Sequence, residues 1–522
     1  MRVARSKCVY KKITRSGASI FKAHTVSATE HFLILYPLCI DLSMADDGSG
    51  SRERHDHHFL IVVYGIQSHI NPSRALAHRL TRLGVDDSIR ATLCLSVSTH
   101  RRMFPSSNGA DETTDGVISY TPYSDGLDNN SLPKTDEERA RGRRVGFESL
   151  SSVIGSLAAR GLPVTRVICT MVVPSLLDVA LEHGIPLVVY WIQPAHVLAA
   201  YYHYFHGYGD LIASHAATDP AHEVSLPGLT RPIRVRDLPS FLADTTGSEL
   251  TRILNDTIRE LLEYVDRQRC KILVNTFDGL EPAVLAEMKR RLDVFVVGPM
   301  VGSSTEARLD LFKHDDVDRK RYMDWLDAQP EKSVVYVSFG SISKYKKQQM
   351  EEIVQGLKQC GRPYLLVVRK DGLEEDMMGY ILESVQDQGM VVEWCNQLEV
   401  LSHTAVGCFV THCGWNSTLE AVASGVPIIG VPNVSDQPTI AYLVEEEWLI
   451  GTKVERNSEG ILTRKELARC IELIMGEGAK AINITERTKA LKRLAQEAAV
   501  VGGQAERNLL YFLSSSCISC ER

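Results

Sequence analysis

Short apolar runs alternate with helix-like segments along most of the chain. The first run, at residues 59–64, is followed by Leu76 and Leu80 at helical spacing. The same alternation restarts at residues 334–338, after an interruption at residues 301–332 that contains Gly, Ser and many charges. Apolar strands joined by helices predict parallel sheets covered on both faces. We therefore expect an α/β protein of two facing Rossmann-like domains, with ligands bound in a cleft beyond the carboxyl ends of the strands.

The interruption and the two ends of the alternation predict the domain boundaries. They divide the chain into a leader, a first Rossmann-like domain, a linker, a second Rossmann-like domain, and a C-terminal helix with a tail. These five segments correspond to residues 1–57, 58–300, 301–332, 333–500 and 501–522.

The leader differs in composition from the rest of the chain. Residues 1–29 contain basic but no acidic residues, which resembles an organelle transit peptide. The alternative is a start codon assigned too far upstream, because Met44 opens a second short polar leader; we favour this interpretation. We expect the leader to be disordered and His55, His57 and His58, at its junction with the first strand, to be solvated.

Charge and apolar content exclude several classes of protein. The chain of 522 residues has 58 Lys and Arg against 65 Asp and Glu, a net charge of −7, which disfavours nucleic-acid binding. No apolar run reaches the roughly 18 residues that a membrane-spanning helix requires. The 12 cysteines do not form a disulfide or zinc pattern. We expect a cytoplasmic monomer. The dinucleotide-binding G-x-G-x-x-G and P-loop motifs are also missing from the sequence.

The strongest chemical signal lies at residues 394–437. A strand at residues 408–411 leads into His412, Gly414 and a helix, and a helix N-terminus binds phosphate through its unpaired N–H groups. Polar and aromatic side chains around this turn suit the other parts of a nucleotide sugar. A base can stack on an indole, and carboxylates and amides bind hydroxyls. The residues concerned are Trp394, Asn416, Ser417, Glu420, Asp436 and Gln437.

Residues 394–437 resemble the signature box of plant secondary-product glycosyltransferases, which use UDP-sugars. The resemblance extends over about residues 58–515 and includes the Ser-Phe-Gly-Ser run at residues 338–341. It implies a GT-B fold, with the acceptor held mainly by the first domain and the donor by the second. It also implies an inverting transfer that needs neither a metal nor another cofactor.

The resemblance assigns a role to each residue of the donor site. Residues for uracil are Trp394, Cys395 and Gln397, and Glu420 is expected to hold the ribose. The diphosphate residues are Ser341, His412, Asn416 and Ser417. The sugar residues are Trp415, Asp436 and Gln437. Because glutamine at the last position usually accompanies glucose in this family, the expected donor is UDP-glucose.

His69 is the candidate general base. It follows the first strand, where the chain enters a helix at the carboxyl edge of the sheet, and histidine can accept a proton near neutral pH. The alternative is a histidine that only caps or packs the helix. In the resembling family the matching histidine removes the acceptor's proton. Many relatives orient it with an aspartate, but this chain has Thr170 there, as does one branch of the family. We infer weaker support for the base, or an acidic acceptor.

Further differences concern the acceptor side and the donor loop. Asn396, Ser175 and Ile440 replace a common proline, tryptophan and asparagine. Residues 190–195 and the aromatic run 201–206 resemble the branch that includes crocetin and anthocyanin 5-O-glucosyltransferases. That aromatic run is equally compatible with an acceptor pocket and with the interior face of a helix.

Together these features predict a glucosyltransferase. It should transfer glucose from UDP-glucose to a hydroxyl or carboxyl group of a small plant metabolite, a flavonoid or other phenolic or a carboxylic acid. The alternatives are a UDP-sugar-binding protein with little turnover and an enzyme of the same fold that uses another UDP-sugar.

Overall fold

The computed structural model describes most of the chain from residue 57 to residue 515. The described residues are 57–84, 88–106, 111–128, 133, 135–170, 173, 175–301, 316–340, 345–374, 377–385 and 388–515. The predicted diphosphate residue Ser341, the leader before residue 57, and Met44 lie outside them.

The strands of the described residues form two large sheets and one short hairpin. They are β1 (His57–Val63), β2 (Ile89–Ser96), β3 (Thr113–Thr114), β4 (Ser119–Tyr123), β5 (Arg166–Cys169), β6 (Leu187–Trp191), β7 (Glu223–Val224), β8 (Ile233–Arg234), β9 (Lys271–Val274), β10 (Asp293–Val296), β11 (Val334–Ser338), β12 (Tyr364–Val367), β13 (Gly389–Val392), β14 (Val406–Thr411), β15 (Ile428–Gly430) and β16 (Gly451–Lys453).

Helices connect most of these strands. They are α1 (Gln67–Leu83), α2 (Val97–Met103), α3 (Asp136–Ala159), α4 (Ser175–Glu182), α5 (Ala195–His203), α6 (Gly209–Ala216), α7 (Glu249–Gln268), α8 (Pro282–Arg291), α9 (Asp316–Asp327), α10 (Lys347–Gln359), α11 (Met377–Ser384), α12 (Gln397–Leu401), α13 (Trp415–Ser424), α14 (Gln437–Tyr442), α15 (Arg464–Met475), α16 (Ala479–Ala499) and α17 (Gln504–Ser514). None of the described helices is long and apolar enough to cross a membrane.

Both large sheets are built as the sequence predicts. The first has the order β10-β9-β6-β5-β1-β2-β4-β3 and is parallel except for the antiparallel pair β3/β4. The second has the order β13-β12-β11-β14-β15-β16 and is parallel throughout. In each sheet the chain builds outward from one central strand and then returns to its other side. The strand order therefore reverses between β1 and β5, and again between β11 and β14, which is where open parallel sheets bind ligands.

Burial on both faces explains why the strands are continuous apolar runs. In β1, Leu60 and Val62 face one hydrophobic core, whereas Phe59 and Ile61 face another. In β11 the same alternation separates Tyr336 from its neighbours on the opposite face. Leu60 and Tyr336 belong to one contiguous core, so a single apolar cluster joins the layers of both sheets.

The C-terminal part of the described chain is mainly helical. It forms three helices, α15 to α17, interrupted near Gly476 and Gly503. The last of these returns to the first sheet, where Phe512 packs edge-on against Phe295 at 5.6 Å between ring centroids. In the linker, α9 occupies the charged stretch, and residues 302–315 lie outside the described part.

His58 is not solvated, contrary to expectation. It lies inside β1 with 5 % of its surface exposed; Nδ1 bonds to the Leu162 carbonyl at 3.0 Å and Nε2 to Thr92 Oγ1 at 2.9 Å. Both ring nitrogens therefore have partners within the sheet and its flanking loop. The polar leader just before the strand gave no sign of these partners, which come from distant parts of the chain.

Candidate active site

The candidate residues meet because parallel strands end at the same edge of a sheet. Residues that follow the ends of β11, β13, β14 and β15 are Gly340, Trp394, His412 and Asp436, and all four line cavities at that edge. In the first sheet His69 follows β1 and lines the cavity that Asp436 lines. The two sheets therefore present their carboxyl ends to shared cavities, as the cleft prediction requires.

His69 and Thr170 form a buried pair at the point where the first sheet's strand order reverses. β1 and β5 are neighbours, and the side chains that follow them are joined by a 3.0 Å hydrogen bond between His69 Nδ1 and Thr170 Oγ1. When Nδ1 carries the proton and donates it to Thr170, Nε2 is left as the acceptor. Among the described residues Nε2 has no hydrogen-bond partner.

Burial determines the charge state of His69. Desolvation lowers its pKa to about 4, and a hydrogen bond to the backbone of Thr170 opposes that shift only in part. The imidazole is therefore neutral at pH 7 and can accept a proton. Thr170 supplies orientation but no negative charge, so an imidazolium formed here is not balanced by its nearest partner.

The turn that follows β14 is shaped around the His412 ring. Gly340 and Gly414 lie so close that a Cβ on either would come within 2.6 Å and 2.4 Å of ring atoms of His412. Cys413, between His412 and Gly414, has a φ of 63°, a left-handed conformation that turns the chain sharply into α13. Burial lowers the pKa of His412 to about 4, so the ring is neutral at pH 7 and has one donor and one acceptor nitrogen.

The N-terminus of α13 opens into the two cavities that His412 lines. Gly414 precedes the helix, and Thr418 is the first residue whose N–H bonds back to it, at 3.0 Å. The N–H groups of Trp415, Asn416 and Ser417 are thus left without a helical partner. Such a terminus attracts anions through these groups and through the helix dipole. A diphosphate beside His412 would meet both.

A group of hydrogen-bonded side chains lines a cavity of about 150 Å³, which the turn after β14 also borders. The Gln397 amide donates to Glu420 Oε2 at 2.7 Å and to Ser417 Oγ at 2.9 Å. Tyr336 donates to Gln397 Oε1 and contacts Cys395 Sγ, both at 3.3 Å. Half-buried Trp394 lines the same cavity, so the four residues predicted around the nucleoside, Trp394, Cys395, Gln397 and Glu420, are brought together.

Trp415 and Asn416 have partners in the first domain, which the sequence did not indicate. The indole Nε1 of Trp415 donates to the Asn275 carbonyl at 2.8 Å, and Asn416 Nδ2 donates to the Ser68 carbonyl at 2.9 Å. Ser68 directly precedes His69, so the turn after β14 is hydrogen-bonded to the start of α1, the helix that carries the candidate base. The indole N–H of Trp415 is therefore already engaged.

Asp436 and Gln437 lie in a cavity of about 630 Å³ that also reaches His69. Burial raises the pKa of Asp436 to about 7, although hydrogen bonds from its own backbone and from Ser435 oppose the shift. Gln437 Oε1 accepts the N–H groups of Asn433 at 2.9 Å and Val434 at 3.1 Å. The NH₂ group of the Gln437 side chain is the part left to contact a ligand.

Sequence reasoning overlooked three residues of the site and left one question open. The overlooked residues are Tyr336, Asn275 and Gln193. Each lies on a strand that ends at the site edge, or within two residues after such a strand, and this position could have predicted them. The aromatic run 201–206 lines neither of the two cavities at the site. Tyr201 is buried and stands edge-on to Trp191, which favours the interior-face alternative. Within the described residues no group of three or more His, Cys, Asp or Glu could hold a metal ion.

Comparisons with known proteins agree with this arrangement. Residues 309–489 match the family model described as "UDP-glucoronosyl and UDP-glucosyl transferase". The chain is 38 % identical to the chloroplastic crocetin glucosyltransferase of Gardenia jasminoides, over 88 % of this chain and 97 % of that relative. It is also 38 % identical to anthocyanidin 3-O-glucoside 5-O-glucosyltransferase 1 of Perilla frutescens, over 87 % and 97 %. The predicted resemblance to this branch is confirmed.

The solved structures confirm the predicted fold class. The crystal structure of Os79 from O. sativa in complex with UDP superposes with a TM-score of 0.73 at 29 % identity, covering 88 % of this chain and 100 % of that one. The complex of Os79 with U2F and trichothecene superposes with a TM-score of 0.71. The two facing parallel-sheet domains are the GT-B arrangement.

Proposed function

The chain belongs to the family of UDP-glucuronosyl and UDP-glucosyl transferases, and from this premise we propose that it transfers glucose from UDP-glucose to a small plant metabolite. The relatives' names support both halves of the proposal, since they are glucosyltransferases of crocetin, phloretin and an anthocyanidin glucoside. The observation that carries the proposal is the cavity that contains His69 together with Asp436 and Gln437. A base and candidate sugar ligands share one space there.

In the proposed reaction His69 is the general base. Nε2 removes the proton from the acceptor hydroxyl, while Nδ1 keeps its own proton and donates it to Thr170 Oγ1. The acceptor oxygen forms a bond to C1 of glucose as the bond from C1 to the UDP oxygen breaks. Attack opposite the leaving group inverts C1 and yields a β-glucoside or, with a carboxylate, a glucose ester.

The leaving UDP is stabilised by the turn after β14. Negative charge grows on the diphosphate as the bond breaks, and the first N–H groups of α13 and the His412 ring are fixed donors for it. Asn416 and Ser417 are the further diphosphate residues of the proposal, together with Ser341. These donors are the basis for proposing a transfer that needs no metal ion.

The Thr170 contact favours an acidic acceptor. The buried His69 ring strongly prefers its neutral form, and its partner is a hydroxyl rather than a carboxylate. Removing a proton from an aliphatic alcohol would therefore be difficult, whereas a phenol needs less help and a carboxylic acid is already ionised at pH 7. We propose phenolics such as flavonoids, or carboxylic acids, as the acceptor class. We further propose that the protein is monomeric and cytoplasmic.

The test is a mass-spectrometric screen of the full chain with UDP-glucose. Phenols and carboxylic acids are offered as a paired panel, and each product is treated with mild alkali. Products stable to alkali are O-glucosides and products that are cleaved are glucose esters; either supports the proposal. UDP-galactose and UDP-xylose compete in parallel. Preferred transfer from either would overturn the choice of glucose, and no transfer from any donor would overturn the proposed reaction.

A further inference from the structure

The segment of residues 432–437, which follows β15 and ends at the first residue of α14, contains a strained residue. We call these residues the sugar loop, because Asp436 and Gln437 are its last two members. Ser435 has a φ of 66°, in the left-handed region that residues other than glycine rarely occupy. Such a conformation persists only when surrounding contacts hold it. Asp436 follows directly, so the direction of its side chain depends on Ser435.

The contacts that hold Ser435 come from the first domain. The Ser240 N–H donates to the Ser435 carbonyl at 2.8 Å, and the Ser435 N–H donates to Ser240 Oγ at 2.7 Å. One residue therefore pairs with both backbone polar groups of Ser435. Gln193 Nε2, which also belongs to the first domain, lies 3.5 Å from Ser435 Oγ and makes a longer contact.

Ser240 is itself held firmly in place. The buried Leu238 and Leu242 flank it in the core, and the Phe241 carbonyl accepts a hydrogen bond from Asn255 at 2.8 Å. Three residues before it, the Asp237 carbonyl accepts from Thr439 Oγ1 of α14 at 2.9 Å. The segment that contains Ser240 is thus fixed against the second domain next to the sugar loop.

We propose that Ser240 is a positioning residue for glucose transfer, an inference that rests on the proposed function. Its N–H and hydroxyl hold Ser435 in the left-handed conformation, and this orients Asp436 and Gln437 toward the sugar. Because these bonds cross from one domain to the other, the donor-sugar site takes its shape only when the two domains are packed together. UDP-sugar recognition therefore depends on a residue outside the donor-binding domain.

The proposal predicts a selective defect. The groups proposed for uridine and diphosphate, such as Trp394 and His412, follow other strands and make no hydrogen bond to Ser240 in the described structure. Loss of the Ser240 hydroxyl should leave the Kd of UDP within about twofold of the parent value. It should lower kcat/KM for UDP-glucose about tenfold, the scale of one lost hydrogen bond to a backbone group that needs it.

The experiment compares Ser240→Ala, Ser240→Thr and a control, Ser248→Ala, in the full chain. Thr keeps the hydroxyl and should restore kcat/KM to within about twofold of the parent value. The control removes the hydroxyl that caps α7 through Thr251 N at 3.1 Å, so it tests whether lost stability alone mimics the defect. UDP binding is followed by calorimetry and transfer by product formation.

Each outcome decides the proposal. A defect in Ser240→Ala that is confined to the UDP-sugar and rescued by Thr supports it. Unchanged kcat/KM, an equal loss of UDP affinity, or the same defect in Ser248→Ala would overturn it. If the parent protein transfers a sugar other than glucose, the proposed function fails, and the same comparison is made with that sugar. If it transfers none, the ratio of UDP-sugar to UDP affinity replaces kcat/KM and decides the question.

Discussion

The imidazole Nδ1 of His69 and the hydroxyl of Thr170 are 3.0 Å apart, although the two residues are separated by 101 positions in the chain. They meet because β1 and β5 are adjacent parallel strands, and each residue follows the end of its strand. A threonine in this place orients the ring, and when its hydroxyl accepts the Nδ1 proton it leaves Nε2 as the acceptor. It would not neutralise the positive charge of a ring that had taken up a proton.

Replacing His69 by Ala should reduce transfer to a phenol by about 100-fold or more, because the general base is lost. The reduction should be much smaller with a carboxylic acid, which is ionised before it binds. Initial rates with matched phenol and acid acceptors measure both effects. His78→Ala is the control, since His78 lies on the same helix but bonds to Asp115. A phenol rate close to that of the parent would remove His69 from the role of base.

Thr170→Val should lower the phenol rate by about tenfold, because Nδ1 loses its partner while the side-chain volume is kept. Thr170→Ser keeps the hydroxyl and should retain most of the activity. Comparing the two variants by kcat/KM separates the hydrogen bond from the packing of the methyl group. Equal rates in both variants would mean that the 3.0 Å contact does not orient the base.

Asp436→Asn should change how stability depends on pH. Burial raises the pKa of Asp436 to about 7, whereas in the unfolded chain it ionises near pH 4. The buried charge therefore opposes folding, and this penalty is complete above about pH 7 and declines as the pH falls from about 7 to 4. The stability of the variant relative to the parent should be greatest at pH 8 and shrink toward pH 5.

Urea unfolding at several pH values measures this difference in the free energy of unfolding. Asp210→Asn, at an exposed carboxylate, is the control for the effect of the Asp-to-Asn change itself. A pH-independent difference for Asp436→Asn would contradict the raised pKa.

EDTA should leave glucose transfer unchanged within about twofold. The charge that develops on UDP is proposed to be met by the N–H groups at the start of α13 and by His412, which a chelator does not remove. Initial rates with EDTA, and with EDTA followed by excess Mg²⁺ or Mn²⁺, make the comparison. Loss of transfer that either metal restores would contradict this mechanism.

Local patterns in the sequence predict much of the fold because they follow from local physics. β1 and β11 are recognisable as short apolar runs, since a strand covered on both faces has few positions for polar residues. The turn before α13 is recognisable because a glycine permits a tight turn before a helix, whose first N–H groups can bind phosphate. The edge position of His69 follows from its place just after a strand. The parallel sheets, the edge that holds the site and most candidate residues could therefore be predicted.

Contacts between distant parts of the chain could not be predicted in this way. The sequence around His58 is polar, yet Leu162 and Thr92 enclose its ring. Trp415 lies in residues 394–437, which resemble the family's signature box, but its indole N–H bonds to the Asn275 carbonyl in the other domain. In each case the partner is selected by how strands and helices pack, and no local pattern records that choice.

The sequence by itself determined the two βαβ domains, the turn between β14 and α13, and the identity of the candidate base. Hydrophobic periodicity and turn residues shape the chain over only a few positions, so a local pattern reveals them. Only the tertiary structure decided most of the partners of the site residues. The pairing of Thr170 with His69 is expected from the family resemblance, whereas the pairings of Asn275 with Trp415 and of Ser240 with Ser435 are not. The physical reason is that a hydrogen bond requires its two atoms within about 3 Å, and for residues far apart in the chain only the packing of the whole fold sets that distance.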